Sequence, residues 1–302
     1  MSAWIAAGGS WHQASVESCD HLKQLHGHSL FSASIGPRKK SAGRLEGFGD
    51  FGDRWDLVEG LRIYARVSQV PHPTKLPLVL IHGLGVSGRY MMPTAERLAR
   101  CRPVLVPDLP GFGQSDKARA ALDVPQIADL LAKWLPRLGY NRAAFLGNSL
   151  GCQVIVDFAV RYPECIDRAV LIAPTVDRRH PTMPRQLLRG FRDLWREPWS
   201  LWPILASDYW TTGSKRMYQT FRSALRDPVE EKLPHMKCPT LVVRGARDPI
   251  VPQRWAQEVA ALLPKGRLVI LQGAAHAANY AAPEALTRAV CPFLTEPSPR
   301  QP

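Results

Sequence analysis

The sequence lacks the features that mark several large classes of protein. Its apolar runs are far shorter than the roughly 18 residues that cross a bilayer. Its first residues, MSAWIAAGGSWHQ, have neither the basic start nor the continuous apolar stretch of a secretory signal. Lys and Arg outnumber Asp and Glu by 39 to 26, but they form no dense block interleaved with aromatic residues. We therefore expect a cytoplasmic protein with no membrane span and no nucleic-acid partner.

Cysteine motifs are missing as well. The six cysteines are scattered and include no Cys-x-x-Cys pair, which argues against a zinc site and against a thioredoxin motif. Reduced, mostly buried thiols are expected instead. What remains is a chain of 302 residues, 45% hydrophobic and 22% charged, which is long enough for a full hydrophobic core. The oligomeric state stays open.

Seven short β-type runs follow one another along most of the chain. Most are continuously apolar, which is typical of strands buried on both faces of a largely parallel sheet. They are LRIYARV (61–67), LPLVLIH (76–82), PVLVPD (103–108), AAFLGN (143–148), RAVLIAP (168–174), TLVVRG (240–245) and RLVILQG (267–273).

Helical patterns separate most of these strands. Residues 125–139 place large apolar side chains on one stripe and end at Gly139, and residues 254–264 repeat the pattern. The alternation predicts βαβ units and a doubly wound, mostly parallel α/β sheet.

Two regions depart from the alternation. Residues 1–52 are rich in Gly, Ser and His without periodicity and are predicted to be a partly flexible extension. Residues 176–233 show no convincing strand but hold many aromatic residues among eleven basic ones, which predicts a helical cap inserted between two strands. The α/β core would then comprise residues 53–175 and 234–296, followed by a tail, 297–302.

Four motifs directly follow predicted strands, at the edge where open parallel sheets place their sites. A GxSxG sequence alone is a weak signal, because Gly and Ser also form ordinary turns. The four together are stronger: HGLG (82–85), GNSLG (147–151), ARDPIVP (246–252) and AAHAANY (274–280). The chain order Ser149, Asp248, His276 in these strand contexts resembles the α/β-hydrolase superfamily over roughly residues 55–295.

The resemblance implies a catalytic triad. A serine hydroxyl needs an adjacent base, so Ser149 would be the nucleophile, His276 the base, and Asp248 the acid that orients the imidazole. Side chains at Gly147 and Gly151 would collide where the strand and helix pass closely. We expect a carboxylic ester hydrolase that forms an acyl-enzyme on small to medium, neutral acyl or aryl substrates.

The same resemblance implies an oxyanion hole made of backbone N–H groups. Leu150 would supply one donor and Leu84 the other, with Gly85 a weaker candidate. His82 is expected to hold this loop in place without taking part in catalysis. No metal or organic cofactor is implied, because the triad supplies nucleophile, base and oxyanion stabilisation.

Several alternatives remain open for individual residues. Ser149 and Asp248 could be turn residues only, and Asp177 is the chief alternative acid. The segment PDLPGFGQSD (107–116) is expected to shape turns through Asp108 and its neighbours Ser115 and Asp116.

The substrate class also has alternatives. A serine at the elbow argues against haloalkane dehalogenases and epoxide hydrolases, whose pattern has aspartate there. Hydrolases of C–C bonds in aromatic ring-fission products often carry Trp after the catalytic His and a longer glycine-rich loop. Ala277 and the loop HGLGVSGRY weaken that interpretation. Acyl transfer would use the same triad, and a ligand-binding protein with slow turnover is the alternative from another class.

The aromatic residues of the insertion either line the substrate or simply cover the sheet. Arg189, Arg192 and Arg196 recur every three or four residues, which predicts a solvated helix face. The apolar face of the same helix is expected to line the pocket. The predicted substrate-binding residues are Phe191, Trp195, Trp199 and Trp210.

Overall fold

A computed structural model describes the chain over residues 50–70, 75–179 and 182–297. The predicted extension, apart from its last three residues, and the tail after residue 297 lie outside the described residues. The described strands are β1 (Phe51–Val58), β2 (Leu61–Ser68), β3 (Leu78–Ile81), β4 (Val104–Pro107), β5 (Ala143–Asn148), β6 (Ile166–Ile172), β7 (Thr240–Gly245) and β8 (Gly266–Leu271).

The strands form one sheet in the order β1-β2-β4-β3-β5-β6-β7-β8. Pairing is antiparallel between β1 and β2 and between β2 and β4, and parallel between all other neighbours. Strands β3 to β7 are buried along their whole length, because helices cover both faces of the sheet. The predicted doubly wound, mostly parallel α/β sheet is confirmed.

Strand β1 was not predicted. It pairs with β2 at the edge of the sheet, and its Trp55 and Leu57 side chains are exposed. An edge strand that is largely open to solvent needs no continuous apolar run, so its sequence FGDRWDLV carries little signal. Because β1 begins at Phe51, residues 51 and 52 belong to the sheet and not to the predicted extension.

Most of the helices lie between strands in chain order, and the last two follow β8. They are α1 (Met92–Leu98), α2 (Val124–Trp134), α3 (Leu150–Arg161), α4 (Met183–Leu194), α5 (Trp202–Thr212), α6 (Ser214–Arg226), α7 (Val229–Lys232), α8 (Gln253–Leu262), α9 (Ala278–Ala281) and α10 (Pro283–Thr295). Helix α2 begins with a capping box, in which Asp123 and Gln126 each accept from the other's backbone N–H. It continues into a short 3-10 turn that Gly139 closes at φ 82°.

Helices α4 to α7 occupy the segment between β6 and β7, hereafter the insertion (residues 176–233). Contrary to expectation, helix α4 does not pack its apolar face on the core, although Arg192 and Arg196 are exposed as predicted. Its buried residues are Gln186 and Asp193, and Arg189 is partly buried, whereas Phe191 and Trp195 are exposed. The amphipathic pattern defined two faces, but specific polar contacts of Arg189 and Asp193, described below, decide which face packs on the core.

Candidate active site

Ser149 lies at the sharp turn from β5 into α3. Its backbone has φ 54° and ψ −115°, a strained conformation for a residue with a side chain. Its N–H donates to the Ile172 carbonyl at 3.0 Å. A Cβ on Gly151 would lie 2.4 Å from the Ile81 carbonyl oxygen, and one on Gly147 would lie 2.7 Å from the Gly151 carbonyl carbon. The predicted need for glycine at both positions is confirmed, and it fixes the turn that presents the serine.

Asp248 and His276 meet beyond the ends of β7 and β8. His276 Nδ1 lies 3.0 Å from Asp248 Oδ2. The other carboxylate oxygen accepts from the N–H groups of Ile250 at 2.7 Å and Val251 at 3.0 Å. Asp248 is buried, and each of its two carboxylate oxygens has a partner. It therefore fixes the orientation of the imidazole ring. In the neutral form of the ring, this contact places the proton on Nδ1 and leaves Nε2 to accept one.

Asp177, the alternative acid, has other partners. Arg189 donates to its Oδ2 at 3.4 Å, and Arg254 contacts the same oxygen. Arg189 also donates to the Ile250 carbonyl at 3.2 Å. Of the two candidate acids, the structure therefore brings Asp248 against His276 and ties Asp177 to two arginines.

The HGLG loop lies beside the serine. A Cβ on Gly83 would be 3.3 Å from Ser149 Cβ, so the backbone that leads to Leu84 runs close to the elbow. Leu150 is the first residue of α3, and an N–H at that position has no partner within its own helix. Both predicted oxyanion donors thus lie on segments adjacent to Ser149.

His82 supports this loop. Its Nε2 accepts from the Leu109 N–H at 2.9 Å, so the proton is on Nδ1, which lies 2.8 Å from the Gly83 carbonyl. Burial lowers the pKa of His82, in keeping with a neutral ring. The expected structural role is confirmed.

The PDLPGFGQSD segment also makes the expected structural contacts. Asp108 accepts from the Gly88 N–H at 2.7 Å, and Ser115 Oγ donates to the Asp108 carbonyl at 2.6 Å. Asp116 forms an ion pair with Arg62. These residues hold turns together.

Three residues that the sequence analysis missed anchor the histidine loop. Asn148 Nδ2 donates to the His276 carbonyl at 3.1 Å. From the insertion, Asp193 Oδ1 lies 3.4 Å from the His276 N–H, and Glu197 Oε1 accepts from the Ala277 N–H at 2.7 Å. The only signal in the sequence is that Asp193 and Glu197 are two acids, four positions apart, within a strongly basic stretch.

The extra carboxylates change the electrostatics of the base. Burial pulls the pKa of His276 down, but Asp248 by charge and hydrogen bond, and Asp193 and Glu197 by charge, together raise it to about 9. Burial raises the pKa of Glu197 to about 7, and it also raises the pKa of Asp193. An imidazole with three carboxylates around it holds its proton more tightly than the isolated side chain.

The aromatic residues predicted to bind substrate lie at the surface. Phe191, Trp195, Trp199 and Trp210 are 60%, 65%, 75% and 89% exposed. Such high exposure does not support an enclosed pocket lined by these side chains. Besides Asp193 and Glu197, the insertion approaches the site through Met217 of α6, because a Cβ on Gly85 would lie 2.8 Å from Met217 Cε.

The sheet, the elbow and the paired Asp and His define an α/β hydrolase. The sequence model of the α/β hydrolase family matches residues 78–289. The chain belongs to this family, and its class is that of a hydrolase.

Two of the curated relatives match more than three quarters of the chain. It is 28% identical over 256 residues to the "Putative carbamate hydrolase RutD" of Pseudomonas savastanoi pv. phaseolicola, covering 77% of this chain and 98% of that protein. It is 26% identical over 263 residues to the "Uncharacterized hydrolase YugF" of Bacillus subtilis, covering 78% and 96%.

Solved structures share the fold. An esterase from Thermogutta terrifontis superposes with a TM-score of 0.65 at 22% identity, covering 80% of this chain and 98% of that one. The enol-lactonase of Burkholderia xenovorans LB400 gives 0.67 at 22% identity, covering 80% and 100%. Within the described residues, none of the helices has the length and apolar character to cross a membrane.

Proposed function

We propose that this hydrolase cleaves carboxylic esters of small to medium, neutral acyl or aryl substrates through an acyl-enzyme. Ser149 Oγ attacks the ester carbonyl while His276 Nε2 takes its proton, and Asp248 stabilises the resulting imidazolium. The N–H groups of Leu84 and Leu150 donate to the developing oxyanion. His276 then protonates the leaving alcohol, and water, activated by the same ring, releases the acid.

One observation carries this proposal. A buried aspartate holds the imidazole at 3.0 Å, at the same sheet edge as a serine on a strained strand-to-helix turn. Strain of this kind costs on the order of 1–3 kcal/mol and persists where the surrounding structure enforces it, most often at functional sites. A simple turn would need neither the positive φ nor the two crowded glycines.

The charge around the histidine supports neutral substrates. Asp193 and Glu197 are buried beside the His276 loop, so a substrate carboxylate placed there would face two further carboxylates. Ring-fission products carry such a carboxylate and would need a fixed cation. The arginine of α4 that turns inward is Arg189, and it already donates hydrogen bonds to Asp177 and to the Ile250 carbonyl. It is therefore not free to bind a substrate carboxylate. The C–C hydrolase alternative is therefore disfavoured.

A substrate panel tests this assignment. We expect kcat/KM for neutral p-nitrophenyl esters to exceed that for 2-hydroxy-6-oxo-dienoates by at least about a hundredfold, or about 2.7 kcal/mol of transition-state binding. Equal or faster turnover of the dienoate would contradict the ester assignment. The name of the RutD relative adds neutral aryl carbamates to the panel.

The same assay addresses the ligand-binding alternative. A hydrolase releases many equivalents of p-nitrophenol per chain at a constant rate, whereas a binding protein with slow turnover stops after about one equivalent. Continuous release that is absent in Ser149→Ala would exclude the binding protein.

A further inference from the structure

Helix α4 turns its apolar face away from the protein. The buried residues Gln186 and Asp193 lie on one side of the helix. The opposite side carries a stripe of large apolar side chains at helical spacing, each more than half exposed. They are Leu187, Leu188, Phe191 and Trp195. An amphipathic helix normally packs this face against its own core, so the stripe requires another partner.

The stripe continues into a cluster of tryptophans after α4. The rings of Phe191 and Trp195 are 6.3 Å apart, and Trp195 and Trp202 are 6.2 Å apart. Trp199 stacks on Trp202 at 5.3 Å and is itself mostly exposed. At roughly 150–250 Å² for each fully exposed ring, the rings of Phe191, Trp195 and Trp199, which are 60%, 65% and 75% exposed, together present on the order of 400 Å². An area of this size is within the roughly 300–600 Å² of the largest apolar patch on a typical soluble monomer, and such patches are often interaction sites.

The exposed charges of residues 182–226, the stretch that carries this patch, have one sign. Residues 182–226 contain three acidic side chains, Asp193, Glu197 and Asp208, and all three are buried. Six basic residues in the same range are exposed: Arg185, Arg192, Arg196, Lys215, Arg222 and Arg226. Arg192 and Arg196 lie one helical turn apart and flank the apolar stripe directly. A partner for this surface must offer an apolar layer edged by negative charge.

We propose that the aromatic face of the insertion, formed by Leu187, Leu188, Phe191, Trp195, Trp199 and Trp202, docks on the surface of an anionic lipid bilayer. Tryptophan rings are favoured at the level of the lipid head groups, and arginines beside them bind lipid phosphates. Docking is peripheral, and α4 lies between the bilayer and the rest of the protein. The buried side of α4 then faces the histidine loop through Asp193, so the bilayer lies over the insertion above the candidate site.

Vesicle binding by the full chain tests the proposal. The protein is sedimented with vesicles of phosphatidylcholine alone and of phosphatidylcholine mixed with phosphatidylserine. We expect binding to the anionic vesicles, falling with added salt, and a blue shift of tryptophan fluorescence on binding. Phe191→Ser with Trp195→Ser should weaken binding at least tenfold. Arg192→Gln with Arg196→Gln should weaken it about fivefold for each arginine.

Matched variants elsewhere on the surface serve as controls. Trp55→Ser with Leu57→Ser removes two exposed apolar side chains from β1, and Arg267→Gln with Arg288→Gln removes two exposed arginines. Both should bind vesicles as the wild type does, and circular dichroism checks that every variant is folded.

Four results would overturn the proposal. The first is no binding to anionic vesicles, and the second is equal binding to neutral ones. The third is self-association of the free protein that the Phe191 and Trp195 variants abolish, since a second copy of the chain would then cover the patch. Binding by the wild type that is unchanged in both patch variants would likewise place the lipid contact elsewhere.

Discussion

Replacing Asp248 by Asn changes the charge and the proton arrangement of the candidate site with little change in shape. The Ile250 and Val251 N–H groups, at 2.7 and 3.0 Å, require an acceptor, so they hold the asparagine oxygen at the Oδ1 position. The amide nitrogen then occupies the Oδ2 position, 3.0 Å from His276 Nδ1, and donates to it. The ring must therefore carry its proton on Nε2, the tautomer that cannot accept the serine proton.

The expected loss in kcat is about 10⁴-fold, the value seen for this substitution in the Ser-His-Asp template, or about 5.5 kcal/mol of transition-state stabilisation. The assay is steady-state hydrolysis of a neutral p-nitrophenyl ester at several pH values. Urea unfolding of the same preparation separates lost catalysis from lost folding.

Asp177→Asn is the matched control, because it removes a second buried carboxylate at the same end of the sheet. Asp177 binds Arg189 and Arg254, so this variant should lose stability but keep most of its kcat. Nearly normal kcat in Asp248→Asn together with a severe loss in Asp177→Asn would refute the assignment of the acid.

Two further predictions concern the pH profile and the elbow. Glu197 raises the pKa of His276 by its charge, so Glu197→Gln should move the acidic limb of the kcat/KM profile to lower pH, whereas exposed Glu284→Gln should leave the limb in place. An unmoved limb in Glu197→Gln would mean that the carboxylate does not act on the base. Gly151→Ala forces a Cβ to 2.4 Å from the Ile81 carbonyl oxygen and should cost about 3 kcal/mol in urea unfolding. Gly190→Ala, in open space on α4, should stabilise by about 0.5–1 kcal/mol, and equal effects of the two alanines would contradict the close packing at the elbow.

The parts of the fold that could be predicted are those whose sequence signal is local. Strands β3 to β7 are buried on both faces, so each appears as a continuous apolar run. Gly147 and Gly151 could be interpreted because a strand that turns directly into a helix leaves no room for side chains. The parallel sheet then brings residues distant in sequence, such as Asp248 and His276, to one edge.

The parts that could not be predicted depend on tertiary contacts. Helix α4 has an apolar and a basic face in the sequence, but the contacts of Asp193 with the His276 N–H and of Arg189 with Asp177 turn the side between these faces toward the core and leave the apolar face exposed. Glu197 reaches the histidine loop across about 80 residues of chain, a pairing that no local pattern encodes. For the same reason the pKa of His276, about 9, departs from the near-neutral titration expected of a histidine.

The most direct test of the proposed mechanism is the mass of the protein trapped during ester turnover. After rapid acid quenching with a neutral p-nitrophenyl ester, we expect one acyl group per chain, located on Ser149 by peptide mass mapping. Ser149→Ala should carry no acyl group and should lose kcat by about a million-fold while remaining folded. Undiminished turnover in Ser149→Ala, or an acyl group on another residue, would contradict the assignment of Ser149 as the nucleophile.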